Sequence, residues 1–352
     1  MGAGHVGAAQ ELRRRLLAAG HEAEVVDFLA AFPRPVAWAW RESYHVQMRR
    51  FPESYERSYR LYYSPSKVWP LILRVATGLA SRRLERWLGT HRPDIVVSTY
   101  PFATLVLGEL RAAGRLHVPL VNYLTDLGVH PRCVHPAADL NLVPHKVSAR
   151  AAEALVDVTT FATGPVVDPA FAEPVPAERA AARRRLGIDD DEVAVLVLAG
   201  SWGVGRVRET VDALLEARRF HVVVACGNDK RLKADLARRS GHINVLGWTD
   251  DMAGVVAAAD VVVENAGGLS SFEAMASGVP VVTFSPIPGH GRDNAVAMEE
   301  AGITEQPADA ETLAAVVDRL ARPGPERDRR IAAGHELFAL DPVTMIVEAA
   351  RS

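Results

Sequence analysis

Short runs rich in Val, Ile and Leu alternate along most of this chain with Ala-, Leu- and Arg-rich segments of helical spacing, and no other feature narrows its fold as far. A parallel sheet covered by helices demands this rhythm, because its strands are buried on both faces and each crossover needs a helix. The predicted strands are Asp94 to Thr99, Val118 to Tyr123, Val193 to Ala199, His221 to Cys226, Val261 to Glu264 and Val279 to Phe284. Each ends near Gly, Pro, Ser or Asn, so ligands are expected at the carboxyl ends of the strands.

At 352 residues the chain exceeds one ordinary hydrophobic core, which predicts two domains. Pro165, Pro169, Pro174 and Pro176 fall in a stretch without periodicity. This places a first domain at 1–162, a linker at 163–177 and a second domain at 178–334, with a final helix at 335–352 returning to the first domain. A helix is predicted from Glu178 to Leu186, stopped by Gly187. The start is unusual. Gly2-Ala3-Gly4-His5 followed by a helical run from Val6 to Ala19 normally succeeds the first strand of a doubly wound domain, yet Met1 stands where that strand would end. Either the start lies too late, or the N-terminal domain is expected to lack its first strand.

Charge and cysteine content remove several function classes. With 40 basic and 43 acidic residues the net charge is -3, which argues against nucleic acid as a partner. Cys133 and Cys226 have neither disulfide-framework nor zinc-ligand spacing, which favours a reducing, cytoplasmic setting. The apolar stretch from Val255 to Val263 is interrupted by Asp260, and the N-terminus has no signal-peptide pattern, so a soluble or peripheral protein is expected. His130, His135 and His145 form no HExxH-like arrangement, and no metal site is predicted.

The strongest chemical signal is Asn265-Ala266-Gly267-Gly268-Leu269-Ser270-Ser271-Phe272-Glu273, placed after a buried strand and opening a helix. Adjacent glycines let the backbone approach a bulky anion, and the helix start offers free N–H groups, so Gly267, Gly268, Leu269 and Ser270 suit a diphosphate. Glu273, one turn further, can accept hydrogen bonds from vicinal ribose hydroxyls; its alternative is a solvated helix residue. Gly200-Ser201-Trp202-Gly203 is a second glycine turn after a strand, able to close on the phosphates through Ser201 and Gly203. A third glycine-rich loop, Pro288 to Asn294, leads into another helix and contains Gly289, His290, Arg292 and Asn294.

Taken together, GWTDDM from Gly247, NAGGLSSFEAMASGVP from Asn265 and PIPGHGRDNA from Pro286 resemble the donor half of family 28 glycosyltransferases. That family includes the monogalactosyldiacylglycerol synthases, the processive diacylglycerol glucosyltransferases and the N-acetylglucosamine transferase of peptidoglycan lipid synthesis. AGSWG from Ala199, ACGND from Ala225 and TDLGVHPRCVHP from Thr125 extend the likeness over most of the chain. The resemblance implies a GT-B architecture of α/β class, with two Rossmann-like doubly wound domains facing a central cleft. It implies that Trp248 and Thr249 flank a nucleobase, although Trp248 also reads as a plain core aromatic. It further implies that Glu273 holds the ribose and that Gly289, His290 and Asn294 lie at the sugar. Relatives using glucose or galactose carry Gln where His290 stands, which leaves the sugar open. On the acceptor side, His5 resembles the histidine that serves as general base in the lipid-sugar synthases, and its alternative is a flexible terminal side chain. Asp126 is the second catalytic candidate, to orient His5 or the acceptor, or else to cap the next helix.

The segment from Phe32 to Arg74 holds five of the seven tyrosines, three of the six tryptophans, eight basic residues and three acidic ones. Aromatics interleaved with arginines suit anionic lipid headgroups, and the resemblance makes 32–75 a membrane-facing region; a helical pair packing its rings inward explains the same pattern. The combined expectation is an inverting transferase that moves a hexose from a UDP-sugar to a lipid such as diacylglycerol, with no cofactor beyond the donor and with peripheral membrane contact. Its rivals are a transferase for a soluble natural product, a nucleotide-sugar epimerase and a non-catalytic nucleotide-sugar-binding protein.

Overall fold

The computed structural model describes residues 3–50, 52–63 and 68–351, and the chain divides into two compact units. Unit 1 comprises Met1–Val166 and Leu340–Ser352; unit 2 comprises Val167–Ala339.

In unit 1 the order is α1 (Ala3–Ala18), α2 (Arg34–Arg50), α3 (Pro52–Tyr63), α4 (Val68–His91), β1 (Val96–Ser98), α5 (Pro101–Ala112), β2 (Leu120–Tyr123), β3 (Leu140–Val143), α6 (Lys146–Leu155) and β4 (Thr160–Ala162). The four strands are parallel in the order β1-β2-β3-β4, with Val97 opposite Val121 and Asn141 opposite Thr160. Pro101 starts α5 without wasting an N–H, and the buried face of that helix, Phe102, Val106 and Leu110, joins Leu120 in one core cluster. Among the described residues α1 is the first element, and β1 pairs only with β2, so β1 forms one edge of the described sheet. Gly2 lies outside the described residues, and Ala3 and Gly4 belong to α1, so His5 sits in the first turn of a helix instead of in a glycine turn.

Unit 2 runs α7 (Pro176–Arg185), β5 (Val193–Leu198), α8 (Val207–Glu216), β6 (Phe220–Ala225), α9 (Lys230–Leu236), β7 (Ile243–Leu246), α10 (Met252–Ala258), β8 (Val261–Glu264), α11 (Leu269–Ala276), β9 (Val281–Thr283), α12 (His290–Glu300), β10 (Thr304–Glu305), α13 (Ala310–Ala321) and α14 (Pro325–Glu336). The strands are parallel in the order β10-β9-β8-β5-β6-β7. Chain direction across the sheet therefore reverses between β5 and β8, the topological switch point where doubly wound sheets open a ligand crevice. Val195, Val197, Val222, Val224, Val261 and Val263 are buried, which explains their β-branched monotony. Asp260, which interrupts the apolar stretch, is held by Arg179 at 2.6 Å and Arg183 at 3.1 Å and accepts the Ala194 N–H at 2.8 Å. The last helix, α15 (Pro342–Arg351), belongs to unit 1, where Val343 and Ile346 pack with Leu12 of α1 and with Val121 and Tyr123 of β2.

Candidate active site

At the switch point of unit 2 three turns meet, and their contacts are almost all made by backbone and small side chains. The turn after β8 takes Gly267 to φ +70° and Gly268 to φ +76°, the left-handed region that glycine enters without strain. Space is equally restrictive: a Cβ on Gly267 would lie 2.8 Å from the Asn294 Cβ. Asn265 ties the turns together, donating from its amide to the Val204 carbonyl at 2.9 Å while its own carbonyl accepts the Ile287 N–H at 2.7 Å. The Gly200–Gly203 turn is braced from the other side by the Asn228 N–H, which donates to Ser201 O at 3.0 Å.

Sequence reasoning missed Glu264. This last residue of β8 is buried, and its carboxyl accepts the N–H groups of Ala266 at 2.6 Å and Gly267 at 2.5 Å and the Thr283 hydroxyl at 2.5 Å. Burial pushes its pKa up, against the opposing hydrogen bonds from Thr283, Gly267 and Ala266. Glutamate at the end of a strand has no sequence signature of burial, so only the packing reveals that it fixes the turn. It also alters which groups can face an anion: the N–H of Gly267 points inward, whereas those of Gly268, Leu269 and Ser270 have no acceptor among the described residues. Three such donors at the start of α11 suit an anion, to which a helix dipole adds about 0.3–1 kcal/mol, up to about 2 when partly buried.

Glu273 lies in the second turn of α11, half-buried, with no hydrogen-bond or ion-pair partner for its carboxyl among the described residues. Burial first, and the nearby Asp168 second, push its pKa up to about 7. A half-buried carboxyl without a partner is costly to fold and suited to receiving hydroxyl donors from a ligand. Gly289, at φ +73°, caps α12, and His290 is the first residue of that helix and half-buried. Asn294 is 1% exposed and donates to Ala266 O at 3.1 Å, so it is placed to hold the turn. Trp248 and Thr249 follow β7; Trp248 is 62% exposed, which removes the core-aromatic alternative, and its indole N–H reaches Asp250 at 3.3 Å.

In unit 1 His5 is anchored. Its Nδ1 lies 2.8 Å from the Thr125 hydroxyl, its carbonyl accepts the Thr99 hydroxyl at 3.0 Å, and its ring meets Tyr100 edge-on at 5.3 Å. Thr99 and Thr125 follow β1 and β2, so the histidine stands at the carboxyl ends of two adjacent strands. With the Thr125 oxygen as acceptor, His5 is the Nδ1–H tautomer, and Nε2 is the ring nitrogen that carries the lone pair. Asp126 is half-buried beside Thr125; the next helix is α6, capped by His145, so Asp126 does not cap it.

The segment 32–75 divides between the two explanations offered for its aromatics. Trp40 stacks on Phe102 at 4.6 Å and donates to the Tyr100 hydroxyl at 3.2 Å, an inward packing. Beside it a groove of about 320 Å³ is lined by apolar side chains that include Leu29, Val36, Leu71, Val75 and Leu79, and Leu71 is 62% exposed. Among the described residues no helix is long and apolar enough to cross a membrane.

Comparison with known proteins supports both halves. Residues 5–167 match the family profile of monogalactosyldiacylglycerol (MGDG) synthase, and residues 195–322 match that of glycosyl transferases group 1. The chain is similar to the processive diacylglycerol beta-glucosyltransferase of Bacillus pumilus (strain SAFR-032), 26% identical over 312 residues that cover 86% of this chain and 79% of the relative. Among solved structures it resembles Anabaena HepE in complex with UDP and glucose, with a TM-score of 0.52, 17% identity and coverage of 77% of this chain and 78% of that one. It also resembles the spinosyn rhamnosyltransferase SpnG, with a TM-score of 0.64, 14% identity and coverage of 99% and 97%. The switch-point crevice, the two Rossmann-like units and these matches lead to one conclusion: the chain is a glycosyltransferase of the GT-B fold, similar to the monogalactosyldiacylglycerol synthases and the processive diacylglycerol glucosyltransferases.

Proposed function

We propose that this enzyme transfers a hexose from a UDP-sugar to the hydroxyl of a lipid acceptor such as diacylglycerol, with inversion at the anomeric carbon. The observation that carries the reading is the trio of free N–H groups at Gly268, Leu269 and Ser270, with the partnerless carboxyl of Glu273 further along the same helix: a diphosphate site with a ribose acceptor beside it. HepE, which shares the fold, binds UDP, and the Bacillus relative acts on diacylglycerol. The exposed apolar groove of unit 1 suits an acceptor with acyl chains and peripheral contact with an anionic membrane.

In this mechanism His5 Nε2 takes the proton of the acceptor hydroxyl as its oxygen bonds to the anomeric carbon. The bond from that carbon to the diphosphate oxygen breaks, and its electron pair leaves with UDP. The N–H groups at the start of α11 stabilise the charge that develops there, as fixed donors do most effectively when they need no reorientation. Ser201 and Gly203 face the phosphates, Trp248 and Thr249 the base, and Gly289 and His290 the sugar, while Asn294 keeps the turn in place and Asp126 orients the acceptor.

A panel of UDP-sugars offered with diacylglycerol in anionic liposomes, followed by mass spectrometry, tests the proposal. A glycosyl-diacylglycerol with inverted configuration is expected. Transfer only to soluble acceptors, or isomerised donor without acceptor, would overturn it.

A further inference from the structure

At the opposite edge of the unit 2 sheet, where the strands begin, three side chains converge that the transfer reaction does not use. Glu192 immediately precedes β5, His221 is the second residue of β6, and His242 immediately precedes β7. His221 Nδ1 lies 2.9 Å from Glu192 Oε2, and His242 Nδ1 faces Glu192 Oε1. One ligand atom from each of the three lies within 4.8 Å of the others.

The protonation of His221 follows from its neighbours. The Asn244 amide donates from Nδ2 to the Leu186 carbonyl at 2.6 Å, so its Oδ1 is the group that faces His221 Nε2 at 2.8 Å. Nε2 therefore carries a hydrogen, and a neutral His221 directs the bare lone pair of Nδ1 at a carboxylate. Two lone pairs facing each other at that distance need a positive charge between them. His221 is only 6% exposed, and the buried guanidinium of Arg183 is turned to Asp260 at 3.1 Å instead of to this cluster's side chains. The Asp189 N–H donates to Glu192 Oε2 at 2.9 Å, so the carboxylate is oriented from outside the cluster, as is the imidazole.

We propose that His221, His242 and Glu192 form a binding site for one zinc-class divalent cation that fastens the starts of β5, β6 and β7. Two imidazoles and one carboxylate are a zinc donor set, with bonds of about 2.0–2.2 Å and a fourth position for water. His242 is exposed and can swing inward to complete the geometry. Asn244 and the Asp189 N–H supply the outer hydrogen bonds that metal-ligating side chains ordinarily have. The site stands apart from the diphosphate turn and does not depend on the donor reading.

The test uses the full chain, stripped with EDTA, dialysed, and titrated with zinc chloride by calorimetry. One zinc per chain is expected, and at a hundredfold excess over Kd the melting temperature should rise by about 5–10 °C. His242→Ala, at an exposed position that threatens no core, and Glu192→Gln should each weaken zinc binding by at least about 100-fold. Cobalt in place of zinc should give a visible absorption band that His242→Ala abolishes. No saturable binding at one ion per chain, or equal affinity in both variants, would overturn the site and leave the three side chains as a hydrogen-bonded cluster that fastens the strand starts without a metal.

Discussion

The two units reach their sites by different means. In unit 2 the turn after β8 is set by glycines at positive φ, by a buried glutamate and by two asparagines, so the backbone itself is the proposed binding surface. In unit 1 the proposed site rests on one histidine, whose ring is oriented by Thr125 and whose carbonyl is held by Thr99, at the ends of a four-stranded sheet. A backbone site tolerates few substitutions but needs no protonation state, whereas a side-chain site can be removed without disturbing the fold. Binding and chemistry should therefore separate cleanly under mutation.

The sharpest break is His5→Ala, expected to lower turnover by about 10²- to 10⁴-fold while UDP affinity measured by calorimetry stays within a factor of two or so of the parent. Unchanged turnover would remove His5 from the reaction. Gly267→Ala should do the reverse. A Cβ 2.8 Å from Asn294 at a positive φ costs about 1–3 kcal/mol, so UDP affinity should fall about 10- to 100-fold with a lower melting temperature.

Glu273→Ala should weaken UDP binding about tenfold, and equal affinity in variant and parent would sink the ribose assignment. The parent adds a pH dependence. Because the folded pKa is raised from 4.5 to about 7, the proton is held more tightly by the folded chain. The stabilisation is complete below about pH 4.5 and is lost as pH rises to about 7, while UDP affinity should rise through the same upper limit as the carboxylate forms. Glu273→Gln should flatten both curves. The smallest effect expected is a several-fold loss of liposome flotation in Leu71→Glu, which places a charge in the exposed apolar groove and leaves UDP binding unchanged.

The same contrast explains what could be read in the sequence. β5, β6, β8 and β9 were legible because strands buried on both faces are written in Val and Leu, and the Gly-Gly turn because few other residues adopt its φ. β3 and β7 were not: Leu-Asn-Leu-Val and Ile-Asn-Val-Leu are short and carry an asparagine, and pairing with neighbours, not local propensity, makes them strands. Glu264 escaped because a carboxylate is expected in solvent until three donors surround it. The cluster of Glu192, His221 and His242 is spread over fifty residues and exists only where adjacent strands bring it together. Thr125 opens the TDLGVHPRCVHP motif, but its hold on His5 depends on an approach across 120 positions.

Asn265 has a further consequence. One residue donates to the loop after β5 and accepts from the loop after β9, so it acts as a shared fastener for segments that are far apart in sequence. In the proposed enzyme, loosening one of these loops would loosen the other, and energy gained at the phosphates would be felt at the end that meets the sugar. Discrimination among donors would then behave as a collective property of the fastened assembly: a substitution at position 265 should blur the choice of sugar and of nucleotide together.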